Sequence, residues 1–344
     1  MAVSGLPKER WIAEGNWVLE SAAHLGGIER SDCDMAVLRD HSGKPFIPGT
    51  SIAGAIRSLL AKHLLSEKEY LSRNDKDEEK QHEKEPDDLK LLFGAREDKG
   101  YQSFLIIDDS FVIDQSSVSV SLRDGVAINA KTRIAEDQAK YDFEVLPIGL
   151  TFKLRFELII WDSWNNINNV NPEQLKGLFY DLIQLCEDGK IRLGAKTSRG
   201  LGRVRAENVN IRRIRQQAEN GTPHPIFLAW LAENHDLSID ADASDEDLRS
   251  ELKAHSQIKE FEELQIDIDL ALHSSLIVRS YTEDPFSPDS THLFQKHEDG
   301  TCDPIVPGTS IAGALRHRAE RIVQTILQKP LKKTRLVEDI FGSP

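Results

Sequence analysis

One phrase is written twice in this chain. Residues 45–57 read PFIPGTSIAGAIR and residues 304–316 read PIVPGTSIAGALR, identical at ten of thirteen positions. Similar sequence at matched positions marks a repeated structural unit, so the fold has to accommodate the same element twice. Upstream of the first copy stands WVLESAAHLGG, ending in His24 and a glycine pair. Upstream of the second stands IDIDLALHSSLIV, with His273 in the matching place. There Ile266, Ile268, Leu270 and Leu272 alternate with Asp267, Asp269 and Ala271, the period-two pattern of a half-buried strand. Downstream of each copy come a helical stretch and a Phe-Gly pair, LLFGA at 91–95 and DIFGS at 339–343. Each copy therefore predicts strand, loop, helix, Phe-Gly.

The copies are not equal. The loop from histidine to Pro-Gly is ten residues longer in the second, 34 against 24, and the acidic run 66–90 has no second counterpart. The first copy also continues. SFLIIDDSFVI predicts a buried strand; a polar excursion follows over about 123–145. In TFKLRFELII, Phe152, Leu154, Phe156 and Leu158 share one face, predicting a further strand. Asn171-Pro172 starts a helix, whose stripe Leu175, Leu178, Phe179, Leu182 and Leu185 runs towards Gly189. The glycine-rich GAKTSRGLG leads to a last strand at 203–209. The order β, α, β, β, α, β predicts an α+β, ferredoxin-like (RRM-like) unit over 1–215. Residues 216–263 read as an acidic connector with one helix near 226–231, and 264–344 as the opening part of a second unit. Such a part hardly buries a sheet alone, so the pattern predicts either a chain that continues past Pro344 or completion by another chain.

Charge is divided in the same uneven way. The formal net charge of −14 argues against a free nucleic-acid-binding protein. Residues 66–90 hold ten acids and six bases, but 191–215 hold eight bases and one acid, and a local field of that kind sets what a surface attracts. The acidic 66–90 is expected to be a mobile surface loop. Cys33, Cys186 and Cys302 are scattered without metal-ligand spacing and read as isolated reduced thiols. The N-terminus lacks a signal-peptide core and no apolar run approaches a membrane span, so a cytoplasmic protein without a membrane partner is expected.

In PGTSIAGAIRSLLAKHL, Thr50 or Ser51 is expected to cap a helix. Ile52, Ile56, Leu59 and Leu60 fall on one side, and Ser51, Gly54, Ala55 and Ser58 on the other. A face without bulk admits close approach, and the helix N-terminus offers N–H groups to phosphate. Tight helix packing explains a single such phrase better; two matched copies favour a ligand. GAKTSRGLGRVR lacks the phosphate-loop spacing GxxxxGK[ST]. Its density of bases, Lys196, Arg199 and Arg203, suits an RNA backbone better than an ordinary exposed turn.

Together, HLGG, DMAVLRD, KPFIPGTSIAGAIR, LLFG, DFEVLPIGLTFKLRF and GAKTSRGLGRV resemble the RAMP superfamily, closest to the backbone subunits of type III (Csm- and Cmr-like) CRISPR effector complexes. The resemblance covers about 12–215 as a whole unit and about 264–344 as the opening of another. It implies a fused double backbone subunit, as in III-D-like systems, stacked with other effector subunits along a guide (CRISPR) RNA and paired with single-stranded target RNA. Sequence is then read by base pairing, while protein reads shape and phosphate. The implied RNA contacts are His24, Arg39, Ser51, Arg57, Lys196, Arg199 and Arg203, with Ser310 and Arg316 in the second copy. The excursion 123–145 would be a thumb that interrupts the duplex, carrying Asn129, Lys131 and Arg133.

The resemblance also implies an endoribonuclease in antiviral defence. Asp34, with Asp32 as the alternate, would hold Mg²⁺ or another divalent metal as the target 2′-OH attacks the adjacent phosphorus. Asp289 is the positional match in the second copy. Relatives often carry lysines on the helix after Pro-Gly; Ala53 and Ala55 stand here. Two alternatives stay open: a non-catalytic scaffold, and a guide-processing endoribonuclease with a histidine base such as His24.

Overall fold

The computed structural model describes residues 7–27, 33–65, 87–94, 102–113, 118–128, 135–161, 171–218, 221–232, 243–258, 266–280, 291–297, 299–327 and 336–341. Its first elements are strand β1 (Pro7–Leu19), a short β2 (Phe46–Ile47), helix α1 (Gly49–Leu64) and helix α2 (Asp87–Phe93). The chain continues through β3 (Leu105–Ile107), β4 (Ser110–Phe111), the hairpin β5 (Ser121–Ile128) and β6 (Ala135–Val145), and β7 (Thr151–Trp161). Helix α3 (Pro172–Glu187) and β8 (Val204–Arg215) follow. Four strands form one sheet in the order β3-β7-β1-β8, every neighbour antiparallel. β1 is central and runs alongside both β7 and β8 over most of its thirteen residues.

The period-two pattern of β7 does what it predicts. Phe152, Leu154, Phe156 and Leu158 are buried in the core with Trp11 and Trp17 of β1. Ile52, Ile56 and Leu60 of α1, and Leu175, Leu178, Phe179 and Leu182 of α3, supply the opposing layer. Asn171 caps α3 by accepting the Glu173 N–H, with Pro172 in the first turn, as its sequence predicts. The expected buried strand at 103–113 is broken into β3 and β4. The excursion after it is a two-stranded hairpin, β5 against β6, standing off the main sheet.

Three expectations need correction. First, neither Thr50 nor Ser51 caps α1. Pro48 is the cap residue without a side-chain bond, and Asp109 of the next strand pair accepts the Gly49 N–H at 2.7 Å. A Cβ at position 49 would fall 2.2 Å from the Ile107 carbonyl oxygen, so only glycine lets the helix start this close to β3. Second, the acidic run is not all surface loop: 66–86 lie outside the described residues, but 87–90 open α2, where Leu89, Leu91 and Leu92 are buried. Third, 216–263 is more than a connector. Besides α4 (Pro225–Ala232), it forms α5 (Asp245–Lys253), whose Leu248 and Leu252 are fully buried in the main core. Asp181 of α3 anchors the segment beyond by accepting the N–H groups of Gln257 and Ile258 at 2.8 and 3.1 Å.

In the second copy, helix α6 (Gly308–Leu327) and helix α7 (Leu336–Phe341) form as the duplication predicts. The expected half-buried strand does not. Residues 266–278 lie outside every strand among the described residues, and Ile266, Ile268, Leu270 and Leu272 are 68–74% exposed. The matching β1 is held on both edges by β7 and β8; among the described residues nothing equivalent flanks 266–278. Short ladders join Arg279–Ser280 to Thr291–His292 and Phe294–Lys296 to Cys302–Pro304. Ile311 and Leu315, the counterparts of the fully buried Ile52 and Ile56, are exposed. No helix among the described residues is long and apolar enough to cross a membrane.

Candidate functional site

Asp34 lies in the segment 33–39, which is stitched to the base of the hairpin strand β6. Met35 N–H donates to the Asp142 carbonyl at 3.2 Å, and Glu144 N–H to the Met35 carbonyl at 3.0 Å. Side chains extend the seam. Asp142 Oδ1 accepts the Asp34 N–H at 2.7 Å, and Asp34 Oδ2 accepts the Asp142 N–H at 3.0 Å. Glu144 Oε2 accepts the Val37 N–H at 2.8 Å. On its far side the segment meets 25–27 through Gly27 N–H to Ala36 and Leu38 N–H to Leu25, both 2.8 Å. Asp34 is thus exposed but held. Cys33 beside it is buried, and that burial pushes its thiol pKa up, with the nearby Asp142 and Glu144 charges adding to the shift.

The predicted RNA contacts fall into three groups. Arg199 of the glycine loop and Ser51 and Ser310 on the duplicated helices are exposed. Arg203 is exposed and sits 3.4 Å from the Glu20 carboxylate. Others are committed within the protein. Arg39 pairs with Glu144 at 3.2 Å, and Arg316 with Glu320 at 3.3 Å. Arg57 lies over the Phe93 ring and donates to the Gly94 carbonyl, which shows what the Phe-Gly pair does in the first copy: it receives the arginine that ends the duplicated phrase. His24 is different. Its ring is wholly buried, edge-on to Phe143, and Nδ1 lies 2.7 Å from the Glu144 carbonyl. Its ring has no surface to offer RNA or a substrate proton; it is a strut. Asn129, Lys131, Arg133, Asp32 and Asp289 lie outside the described residues.

The glycine loop is pinned from below. Ala195 N–H donates to the His24 carbonyl at 2.9 Å, and a Cβ at Gly194 would fall 2.2 Å from that same oxygen. Lys196, in the left-handed region at φ 58°, turns its ammonium onto β6. Nζ donates to Tyr141 Oη at 2.8 Å and lies 4.3 and 4.6 Å from the Tyr141 and Phe143 ring centres, a favourable cation–π arrangement. The loop also meets the second copy: a Cβ at Gly308 would fall 2.3 Å from the Arg199 carbonyl. The N-terminus of α6 therefore abuts the glycine loop of the first unit, and features expected to act within one unit adjoin across the two copies. A second seam joins Ile148 to His297, and Arg123 on β5 to Gln295 by a buried hydrogen bond. Burial pushes the Arg123 pKa down to about 10.

Among the described residues no three His, Cys, Asp or Glu side chains converge on a point. A hard cation that retains waters and takes phosphate oxygens needs only one or two protein carboxylates, and the exposed Asp34 fits that donor set. Sequence reasoning missed Tyr141, Asp142 and Asp109. The first two were legible as alternation in YDFEV, where Tyr141 and Phe143 face one side of a strand and Asp142 and Glu144 the other. Asp109 caps a helix sixty positions away and carries no local signal.

Comparison with known proteins adds three findings. The family model of the RAMP superfamily matches residues 19–205 and 270–344, one stretch in each copy. A Streptococcus thermophilus protein named CRISPR system Cms endoribonuclease Csm3 is 31% identical over 201 residues, covering 56% of this chain and 84% of the relative. A Methanocaldococcus jannaschii protein of the same name is 25% identical over 223 residues, covering 59% and 81%.

Proposed function

The chain belongs to the RAMP superfamily, and on that premise we propose that it is a guide-RNA-binding backbone subunit of a type III CRISPR effector complex that cleaves complementary target RNA at Asp34. The observation that carries this is the placement of Asp34: an exposed carboxylate, fixed at both its backbone and its side chain to the base of a projecting hairpin. The two relatives named as Csm3 endoribonucleases support it. The sheet order β3-β7-β1-β8 with α1 and α3 on one face supports a ferredoxin-like unit. The second stretch matched by the family model supports a fused double subunit, whose partners are guide RNA, single-stranded target RNA and neighbouring effector subunits.

In this account the β5–β6 hairpin acts as the thumb that breaks the guide–target duplex. The exposed small face of α1, the glycine loop with Arg199 and Arg203, and the N-terminus of α6 lie along the guide backbone, where contact is to phosphate and independent of sequence. At the interruption, the target 2′-oxygen attacks its own phosphorus and the 5′-oxygen leaves. One fragment then ends in a 2′,3′-cyclic phosphate and the other in a 5′-OH. A divalent ion held by Asp34 with water and phosphate would offset the charge that grows on the phosphoryl oxygens. The protein contributes orientation: Asp34 is held still relative to the strand that displaces the nucleotide, the condition under which positioning accelerates a reaction. The burial of His24 weighs against a guide-processing reaction that would use it as base.

Asp34→Ala tests this. In a guide-loaded complex the variant is expected to bind target as the wild type does and to lose cleavage at the first unit's position. Chelation of divalent ions should abolish the same cut. Undiminished cleavage at that position by the variant would overturn the assignment.

A further inference from the structure

We propose that Asp142 is the positioning residue for Asp34. This rests on Asp34 as the cleaving carboxylate and extends the site to a residue on a different element. Asp34 and Asp142 exchange hydrogen bonds reciprocally, each carboxylate accepting the other's backbone N–H, at 2.7 and 3.0 Å. The bond into Asp34 Oδ2 restricts the torsions of a side chain that its exposure would otherwise leave to rotate, and the bond from Asp34 N–H fixes its backbone. Each bond has a carboxylate as its acceptor, and a charged acceptor makes the stronger kind of hydrogen bond.

The strand behind Asp142 is itself held. Tyr141 and Phe143 point to the opposite side of β6, where Lys196 bonds the Tyr141 hydroxyl and lies against both rings. His24 meets Phe143 edge-on and bonds the Glu144 carbonyl. Glu144 secures the far end of the segment through Val37 N–H and Arg39. Asp142 is thus the point at which a strand clamped from the glycine loop transmits its position to Asp34. Partners of a ligating or reacting group that hold it by hydrogen bonds contribute strongly to activity without touching substrate.

The test compares wild type, Asp142→Ala, Asp142→Asn and Asp34→Ala in guide-loaded complexes. It reads single-turnover cleavage, target affinity and hydrogen exchange at the Asp34 amide. Asp142→Ala is expected to slow cleavage about 10–100-fold, leave target affinity unchanged and speed exchange at Asp34. Both variants keep the Asp142 backbone donor, but only Asp142→Asn keeps an accepting oxygen, so it should recover most of the rate and the protection. Wild-type cleavage by Asp142→Ala overturns the proposal. So does an Asn variant as slow as Ala with the Asp34 amide still protected, because charge and not position would then be at work. If Asp142→Ala does not assemble, Asp142→Asn decides alone: cleavage and protection near wild type support positioning, whereas the rate of Asp34→Ala overturns it. Should Asp34→Ala itself still cleave, the premise about Asp34 fails, while the exchange measurement still reports whether Asp142 holds that amide.

Discussion

At Gly194 the backbone takes φ +88°, and the place of a Cβ is occupied by the His24 carbonyl oxygen at 2.2 Å. Both facts were hidden in GAKTSRGLG, where composition announces a flexible loop but not which glycine is obligatory. Gly194→Ala should destabilise the protein by about 1–3 kcal/mol from the backbone conformation alone, with the clash adding to it. A denaturant midpoint equal to wild type would contradict this. Asp34 is proposed from its place in a family pattern, and spacing alone does not separate it from any solvated carboxylate. What distinguishes it is a partner more than a hundred positions away in the chain, and a period-two pattern records which side a residue faces, not what it meets. His24 shows the converse. A histidine before a glycine pair invites a role at the surface, but the fold places it beneath the glycine loop, where its ring supports β6.

Elements with strong local patterns formed where the sequence puts them: β7 from its alternation, α3 from Asn171-Pro172 and its leucine stripe, α1 and α6 from the duplicated phrase. Helix α5 was missed because DEDLRSELK offers only Leu248 and Leu252 in an otherwise charged run; two apolar residues one turn apart do not announce a buried helix until the surface that receives them is known. The cap of α1 was misassigned for a related reason. Thr50 and Ser51 are good capping types, but the helix begins at Gly49, and Asp109 supplies the acceptor. Asp109→Ala should therefore cost about 0.5–2 kcal/mol, and Thr50→Ala much less, as paired thermal unfolding curves would show. Equal effects, or a larger loss at Thr50, would restore the local cap. The strand predicted at 266–272 has the right pattern and lacks flanking strands among the described residues, so its apolar face stays exposed. Alternation specifies a strand only where a ladder exists to receive it.

Across the described residues, the two copies meet where Gly308 abuts Arg199, where Ile148 lies beside His297, and where Arg123 bonds Gln295. The duplication was visible in the sequence; these seams were not, because none lies within the duplicated phrase's own pattern apart from Gly308. Gln295→Ala removes the oxygen that accepts from a buried guanidinium. It should cost about 1–3 kcal/mol and loosen the second copy from the hairpin base. Limited proteolysis and a stability measurement check this, and an unchanged protein would show the seam to be incidental. The proposed function makes a sharper demand on the assembled complex. Mapping the ends of target fragments produced by guide-loaded wild type and Asp34→Ala complexes, under matched target occupancy, tests it most directly. The account predicts that the substitution removes one cut, the one at the first unit's hairpin, and that wild-type fragments at that cut end in a 2′,3′-cyclic phosphate and a 5′-OH. An unchanged set of fragment ends in the Asp34→Ala complex would contradict it.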